Sequence, residues 1–174
     1  VDHWPKTSPS WTATTCSPWL YNKKGALEET IDVSAIGSPV AIAYIPTTNQ
    51  FAVRVNEAGK AAMLFILGRS GQLVRSIDLG GFGIRTIVAL TLFNPGHPSG
   101  GQFFIVDGPP AGGEIRNLAF VTDFNGQPLM KVDYREELGV LTPIDVSTIT
   151  TGPDAGSLTI IDRSSNELVV FAPD

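Results

Sequence analysis

The chain of 174 residues holds a single cysteine, Cys16, and two histidines, His3 and His97. One thiol cannot close an intrachain disulfide, and no spaced Cys or His companions stand near it to build a zinc site. The two histidines leave little material for imidazole chemistry. His3 lies in the opening tail, and His97 sits in Asn94-Pro-Gly-His-Pro-Ser-Gly-Gly101. A general base needs a rigid seat and an orienting partner, which a Gly/Pro-rich loop does not supply. Lys and Arg number 12 against 17 Asp and Glu, and they are scattered. Without a basic stripe to follow phosphates, nucleic acid is set aside as a partner. No apolar run reaches the roughly 18 residues that span a bilayer, so no membrane span is expected. Also missing are a Gly-x-Ser-x-Gly elbow, a His-Glu-x-x-His motif, a phosphate-binding Gly-Lys-Ser/Thr loop and an EF-hand loop. No catalytic residue is assigned.

What is present points to a packed domain. Apolar residues make up 43% and charged residues 17%, and the length suffices for a sizeable core. The 18 glycines and 13 prolines fall between apolar runs, as they do where many short strands are joined by turns. The class read from this is all-β. Richness in Thr, Ser, Gly and Pro with few lysines leans towards an exported protein, extracellular or periplasmic.

One segment recurs three times: Asn22-Lys-Lys-Gly25-Ala-Leu-Glu-Glu-Thr-Ile-Asp32, Gly68-Arg-Ser-Gly71-Gln-Leu-Val-Arg-Ser-Ile-Asp78 and Asp123-Phe-Asn-Gly126-Gln-Pro-Leu-Met-Lys-Val-Asp133. Glycine and aspartate keep a spacing of seven while the copies shift by 46 and then 55 residues. Such a period is the signature of an array of supersecondary units. Between the turns each unit supplies more strand-like runs. The first full unit reads Ser38 to Ile45, Gln50 to Val55, Ala61 to Leu67 and Leu73 to Leu79. The second reads Arg85 to Phe93, Gln102 to Val106, Ile115 to Thr122 and Leu129 to Tyr134. The third reads Pro143 to Thr150, Ser157 to Ile161 and Glu167 to Ala172. Trp19, Phe65 and Phe120 each precede the turn glycine by six, and Phe171 is aligned with them. Asn56, Asp107 and Asp162 are aligned at the close of each unit's second strand, where such residues cap turns. The first strands, Val40-Ala-Ile-Ala43 and Thr86 to Leu90, are nearly continuously apolar and read as buried on both faces. The fourth strands are mixed on both faces, as outer strands are. Gly80-Gly-Phe-Gly83 reads as a crossover between units.

Four antiparallel strands per unit, small and apolar within and more polar without, resemble the blade of a β-propeller. The aromatic strand, Gly turn and terminal Ile-Asp resemble in particular the NHL-like propellers. The resemblance covers residues 17 to 174 and implies about 3 to 3.5 blades, partial or completed by oligomerisation. Residues 1 to 16 are read as an N-terminal tail or edge strand, with Ser10 to Thr15 as a candidate strand. The alternative fold is a β-sandwich, which requires no internal period. An arc of this size leaves strand edges that native proteins cover. The expected partner is therefore protein: a second copy, or the remainder of a longer propeller.

Candidate site residues gather on the connections that leave each second strand or lead into the next unit. They are Asn56, Glu57, Arg85, Asp107, Glu114, Arg116, Asp162 and Arg163. The insertion Gly108-Pro-Pro-Ala-Gly-Gly113 lengthens this side in the second unit only, a place where recognition often resides. Trp4 and Trp11 are candidate anchors for an edge or a partner. No cofactor is expected, with a divalent cation held by Asp and Asn oxygens as the alternative. The leading function is a non-enzymatic exported scaffold for protein interaction or self-assembly. Two rivals stand beside it: a cation-dependent propeller hydrolase of lactonase type, and a module binding carbohydrate or another small ligand through exposed tryptophan.

Overall fold

The computed structural model describes residues 19–21, 24–55, 57, 59–93, 101–108, 116–149 and 152–171. Ser10 to Thr15, Trp4, Trp11, Asn56, His97 and Glu114 lie outside them. The described residues form four antiparallel sheets in chain order. A leading sheet pairs β1 (Trp19–Tyr21) with β2 (Leu27–Thr30). The first full sheet runs β3 (Pro39–Ile45), β4 (Gln50–Val55), β5 (Met63–Gly68) and β6 (Leu73–Asp78). The second runs β7 (Ile87–Phe93), β8 (Gln102–Asp107), β9 (Leu118–Thr122) and β10 (Pro128–Asp133). The third holds β11 (Pro143–Thr148), β12 (Leu158–Asp162) and β13 (Glu167–Phe171). Every hydrogen-bonded neighbour is the next strand in sequence, so each sheet is a meander. The strands match the expected runs to within three residues. Gly80–Phe82 is a short 3-10 turn between β6 and β7, the expected crossover.

The sheets stack face to face, because alternate residues of each inner pair of strands are apolar on both sides. Ile31, Val33 and Ile36 cover Phe51, Val53, Val55, Phe65 and Leu67 of the first sheet. Its other face (Ala52, Leu64, Ile66, Ile77) meets Phe103, Ile105, Leu118 and Phe120 of the second. The second sheet's far face (Phe104, Val106, Ala119, Val121) meets Val146, Leu158 and Ile160 of the third. Each fully buried Phe, Leu or Ile contributes about 1.5–3 kcal/mol, so these interfaces dominate the stability of the stack.

The repeated turn also has an explanation in contacts. Gly71 (φ 86°) and Gly126 (φ 85°) occupy a left-handed conformation that suits glycine. Each also lies against the preceding sheet. A Cβ on Gly71 would stand 2.5 Å from the Asp32 carbonyl, and one on Gly126 would stand 2.5 Å from Leu79 Cδ2. The terminal Ile-Asp pair divides its work: Ile77 and Val132 are the buried residues of their outer strands. The aspartates then accept backbone N–H groups of the departing turn, Asp32 from Ser34, Asp78 from Gly80 and Asp133 from Arg135. Arg75 of β6 adds a clamp, donating to Asn125 Oδ1 at 2.9 Å and to the Phe124 carbonyl at 2.7 Å in the next sheet.

Three expectations need correction. Strand β3 is not buried on both faces: Val40, Ile42 and Tyr44 are 43–48% exposed because their side chains face an open groove. Strand pairing also moves the alignment of the second strands. Asp107 stands opposite Ile87 and Asp162 opposite Pro143, but the residue opposite Pro39 is Val55, not Asn56. Finally, Val169, paired with Ile160, takes the place of Phe65 and Phe120, which pair with Val53 and Ile105. Phe171 registers two residues later, with Leu67 and Thr122.

Candidate functional site

The residues singled out in sequence fall into local groups at the ends of the second strands. Asp107 is 1% exposed, and its Oδ1 accepts the N–H groups of Arg85 at 2.8 Å and Thr86 at 2.9 Å. The Gly108 N–H returns a bond to the Thr86 carbonyl at 2.8 Å. Asp162 is equally buried and repeats the device. Its Oδ2 accepts from Leu141, and its Oδ1 from Thr142 and Ser164, each at 2.9 Å, while the Arg163 N–H bonds the Thr142 carbonyl at 3.0 Å. Both carboxylates therefore staple the segment that enters the unit's first strand to the end of its second strand. These backbone bonds hold the Asp162 carboxyl below its ordinary pKa, the Leu141 N–H contributing most and burial opposing.

The two staples differ in one respect. Both Asp162 oxygens accept backbone hydrogen bonds, whereas the buried Asp107 Oδ2 and Thr86 Oγ1 have no hydrogen-bond partner. Arg116 stands beside that oxygen, its Nη1 3.9 Å away and bonded to the Gly83 carbonyl at 2.9 Å. Arg116, Arg85 and Asp107 are thus brought together around one strand entry. Asp162 and Arg163 form the corresponding group one sheet on.

The first sheet is built differently, since the Val55 side chain cannot accept a hydrogen bond. Glu57 is placed there with its side chain against Gly37 and an ion pair to Lys60 at 2.7 Å. Lys60 Nζ also donates to the Ile36 carbonyl at 3.3 Å. Tyr134, which the sequence did not single out, is 4% exposed beside the second and third sheets. Burial raises its phenol above the ordinary value, and the charges of Asp107, Asp133 and Asp162 add to that.

As a metal centre this arrangement offers few free oxygens. A hard cation takes several carboxylate and carbonyl ligands at once. Asp162 directs its oxygens at three backbone donors, and Arg116 brings positive charge to Asp107. Among the described residues no group of three or more His, Cys, Asp or Glu side chains converges.

Two further surfaces lie elsewhere. A groove of about 360 Å³ runs between the inner strands β3, β7 and β11, lined by Val40, Ile42, Val88, Leu90, Ile144 and Ser147 among others. The second surface is the far face of the third sheet. The pairing register equates Thr159 with Phe104 and Ala52, Leu168 with Ala119 and Leu64, and Val170 with Val121 and Ile66. In the first two sheets these positions are 0–4% exposed beneath the next sheet. In the third, Leu168 is 61% and Val170 53% exposed, and Ile161, the counterpart of the buried Val106, is 40% exposed.

Solved structures share this arrangement. The WD40 β-propeller domain of Doa1 superposes with a TM-score of 0.51 at 12% identity, covering 91% of this chain and 44% of that one. A chain of the mitotic checkpoint complex gives 0.56 at 13% identity, covering 91% and 43%. The chain folds as part of a β-propeller. Its sheets are blades, and it spans less than half the length of either neighbour. No protein-family model and no curated protein matches the chain.

Proposed function

We propose that this chain is a propeller scaffold that binds other proteins along the groove between its inner strands. The observation that carries the reading is the exposure of Val40, Ile42 and Ile144, at 43–48%, on strands β3 and β11 beside that groove. Contiguous exposed apolar surface bounded by polar residues marks interaction sites. The likeness to a chain of a multi-protein complex agrees with it. The terminal Ile-Asp or Val-Asp pairs and the Gly turn support blades of the NHL-like type, and richness in Thr, Ser, Gly and Pro with few lysines supports an exported protein. The rival cation-dependent enzyme would need carboxylate oxygens that Asp162 spends on backbone donors.

Affinity capture compares the wild type with an Ile42→Glu, Ile144→Glu double variant. The reading requires a protein retained by the first and lost by the second. Equal recovery by both would refute it.

A further inference from the structure

The seam between the first and second blades departs from the design that the next seam follows. Both of its walls are complete four-stranded blades. Pairing register equates Arg54 of β4 with Val106 of β8, since they stand opposite Ala41 and Ala89. Ala52 faces the second blade, and alternation along β4 puts Arg54 on the same face. Phe103 and Ile105 face back towards the first blade, and Asp107 continues their row. Arg54 and Asp107 therefore enter one seam from opposite walls, where the next seam has Val106 and Asp162.

Polar satisfaction differs in step. In the next seam both Asp162 oxygens accept backbone N–H groups, and Thr142 Oγ1 is bonded to Ser164 Oγ. In the first seam Arg54 Nε, Asp107 Oδ2 and Thr86 Oγ1, the counterpart of Thr142, are buried without a hydrogen-bond partner. Arg116 stands 3.9 Å from Asp107 Oδ2 and answers its charge. Among the described residues no carboxylate pairs with Arg54, and burial alone holds its pKa below the ordinary arginine value. A buried charge without a partner is costly to a fold, and the next blade fills the same place with valine. The groove adjoins this seam, since Ala41, the cross-strand partner of Arg54, and Val88, two residues after Thr86, both line it. Asp145, the acidic residue of the groove lining, stands across on β11.

We infer that this seam binds a carboxylate, supplied by an aspartate or glutamate side chain of the protein segment that lies along the groove. The inference rests on the groove reading and deepens it by naming the chemistry that the partner brings. Arg54 donates through its guanidinium fork, a geometry matched to a carboxylate, and the Thr86 hydroxyl donates beside it. Arg116 offsets the repulsion that Asp107 would exert on the incoming charge.

NMR titration of the chain tests this with the α-amide of N-acetylglutamate, which presents one glutamate side chain and no other charge. The expected result is a saturating shift of the Arg54 Nε–H and Thr86 amide signals, in the millimolar range that a single small contact supports. The N-acetylglutamine amide, similar in shape and uncharged, binds at least about tenfold more weakly. Arg54→Val, which copies the next blade, abolishes the Thr86 shift and keeps the wild-type urea midpoint. Arg135→Met, at an exposed turn, leaves binding unchanged. No shift in the wild type, equal binding of the glutamine amide, or an unaltered Thr86 shift in Arg54→Val overturns the inference. A lowered urea midpoint in Arg54→Val makes Arg54 a structural residue and overturns it too. Inorganic phosphate binding more tightly than the glutamate derivative overturns the assignment to a partner's side chain. A protein captured through Ile42 and Ile144 but held equally by Arg54→Val overturns the carboxylate contact and leaves the groove reading intact. Probe binding with no captured protein keeps the carboxylate site and overturns the groove reading.

Discussion

Replacing Asp162 with alanine tests the claim that this carboxylate is a structural staple. The side chain is 1% exposed and accepts three backbone N–H bonds, from Leu141, Thr142 and Ser164. Removing it leaves those donors facing an apolar methyl. A charged hydrogen bond contributes about 1.5–3 kcal/mol, and an orphaned buried donor costs about 1–3 kcal/mol. These overlap, and water reaches part of the loop, so the expected loss is about 3–5 kcal/mol. For a chain of this length that lowers Tm by about 10 °C and moves the urea midpoint by about 2 M. Asp162→Asn keeps one acceptor oxygen but turns an amide towards a backbone N–H, and falls between wild type and alanine. Asp154→Ala, on an exposed turn, stays within about 0.5 kcal/mol. The pH dependence has a fixed sign. The folded pKa of Asp162 is lowered, so its stabilisation is complete above the unfolded value of about 3.9 and is lost as pH falls through the lower folded value. Urea melts between pH 7 and pH 2 give this slope, which Asp162→Asn makes shallower. An alanine variant as stable as the wild type would refute the staple and return Asp162 to the candidates for ligand binding.

Further substitutions test other links. Gly71→Ala combines a left-handed φ with a Cβ 2.5 Å from the Asp32 carbonyl, so it loses about 2–4 kcal/mol in a urea melt. Gly25→Ala has open space around its Cβ and loses about 1 kcal/mol, from φ alone. Equal losses at the two sites would contradict the close approach of neighbouring blades at Gly71. Arg116→Ala strips the counter-charge from the buried Asp107 Oδ2, with an expected loss of about 1–2 kcal/mol. Arg75→Ala releases two hydrogen bonds between blades and costs about 1 kcal/mol, seen as faster amide exchange around Phe124 and Asn125.

Much of the fold was legible because the repeat marks positions that physics makes costly to change. A turn glycine with positive φ, an aliphatic residue that closes an outer strand and an aspartate that caps the next turn recur together in sequence. Strand alternation then filled in the rest. The two misaligned positions, Asn56 and Phe171, were placed by residue type, whereas pairing is set by bulges and loop lengths that composition does not reveal. Exposure along β3 was missed for a related reason. An apolar run reads alike whether its second face meets another sheet or an open groove. The candidate site was legible as a set of loops but not as chemistry, because an aspartate that binds a ligand and one that binds its own backbone look the same in sequence.

The unequal blades bear on which surface carries function. Asp107 and Asp162 repeat one device at equivalent positions, and repetition along an array is what a structural requirement produces. A site specific to function should break the repeat. Two breaks stand out among the described residues. One is the Asp107, Thr86 and Arg116 group, where the staple has an oxygen to spare and an arginine over it. The other is the first blade, where Val55 stands at the aspartate's position and Glu57 pairs with Lys60 instead. At the first break Arg116 already supplies the missing charge within the chain. At the second, Lys60 answers Glu57 at 2.7 Å and also donates to the Ile36 carbonyl, so the charge is matched and the loop is tied in another way. Of the two, the first leaves buried polar atoms, Asp107 Oδ2 and Thr86 Oγ1, without a hydrogen-bond partner, so it is the larger departure from a purely structural device.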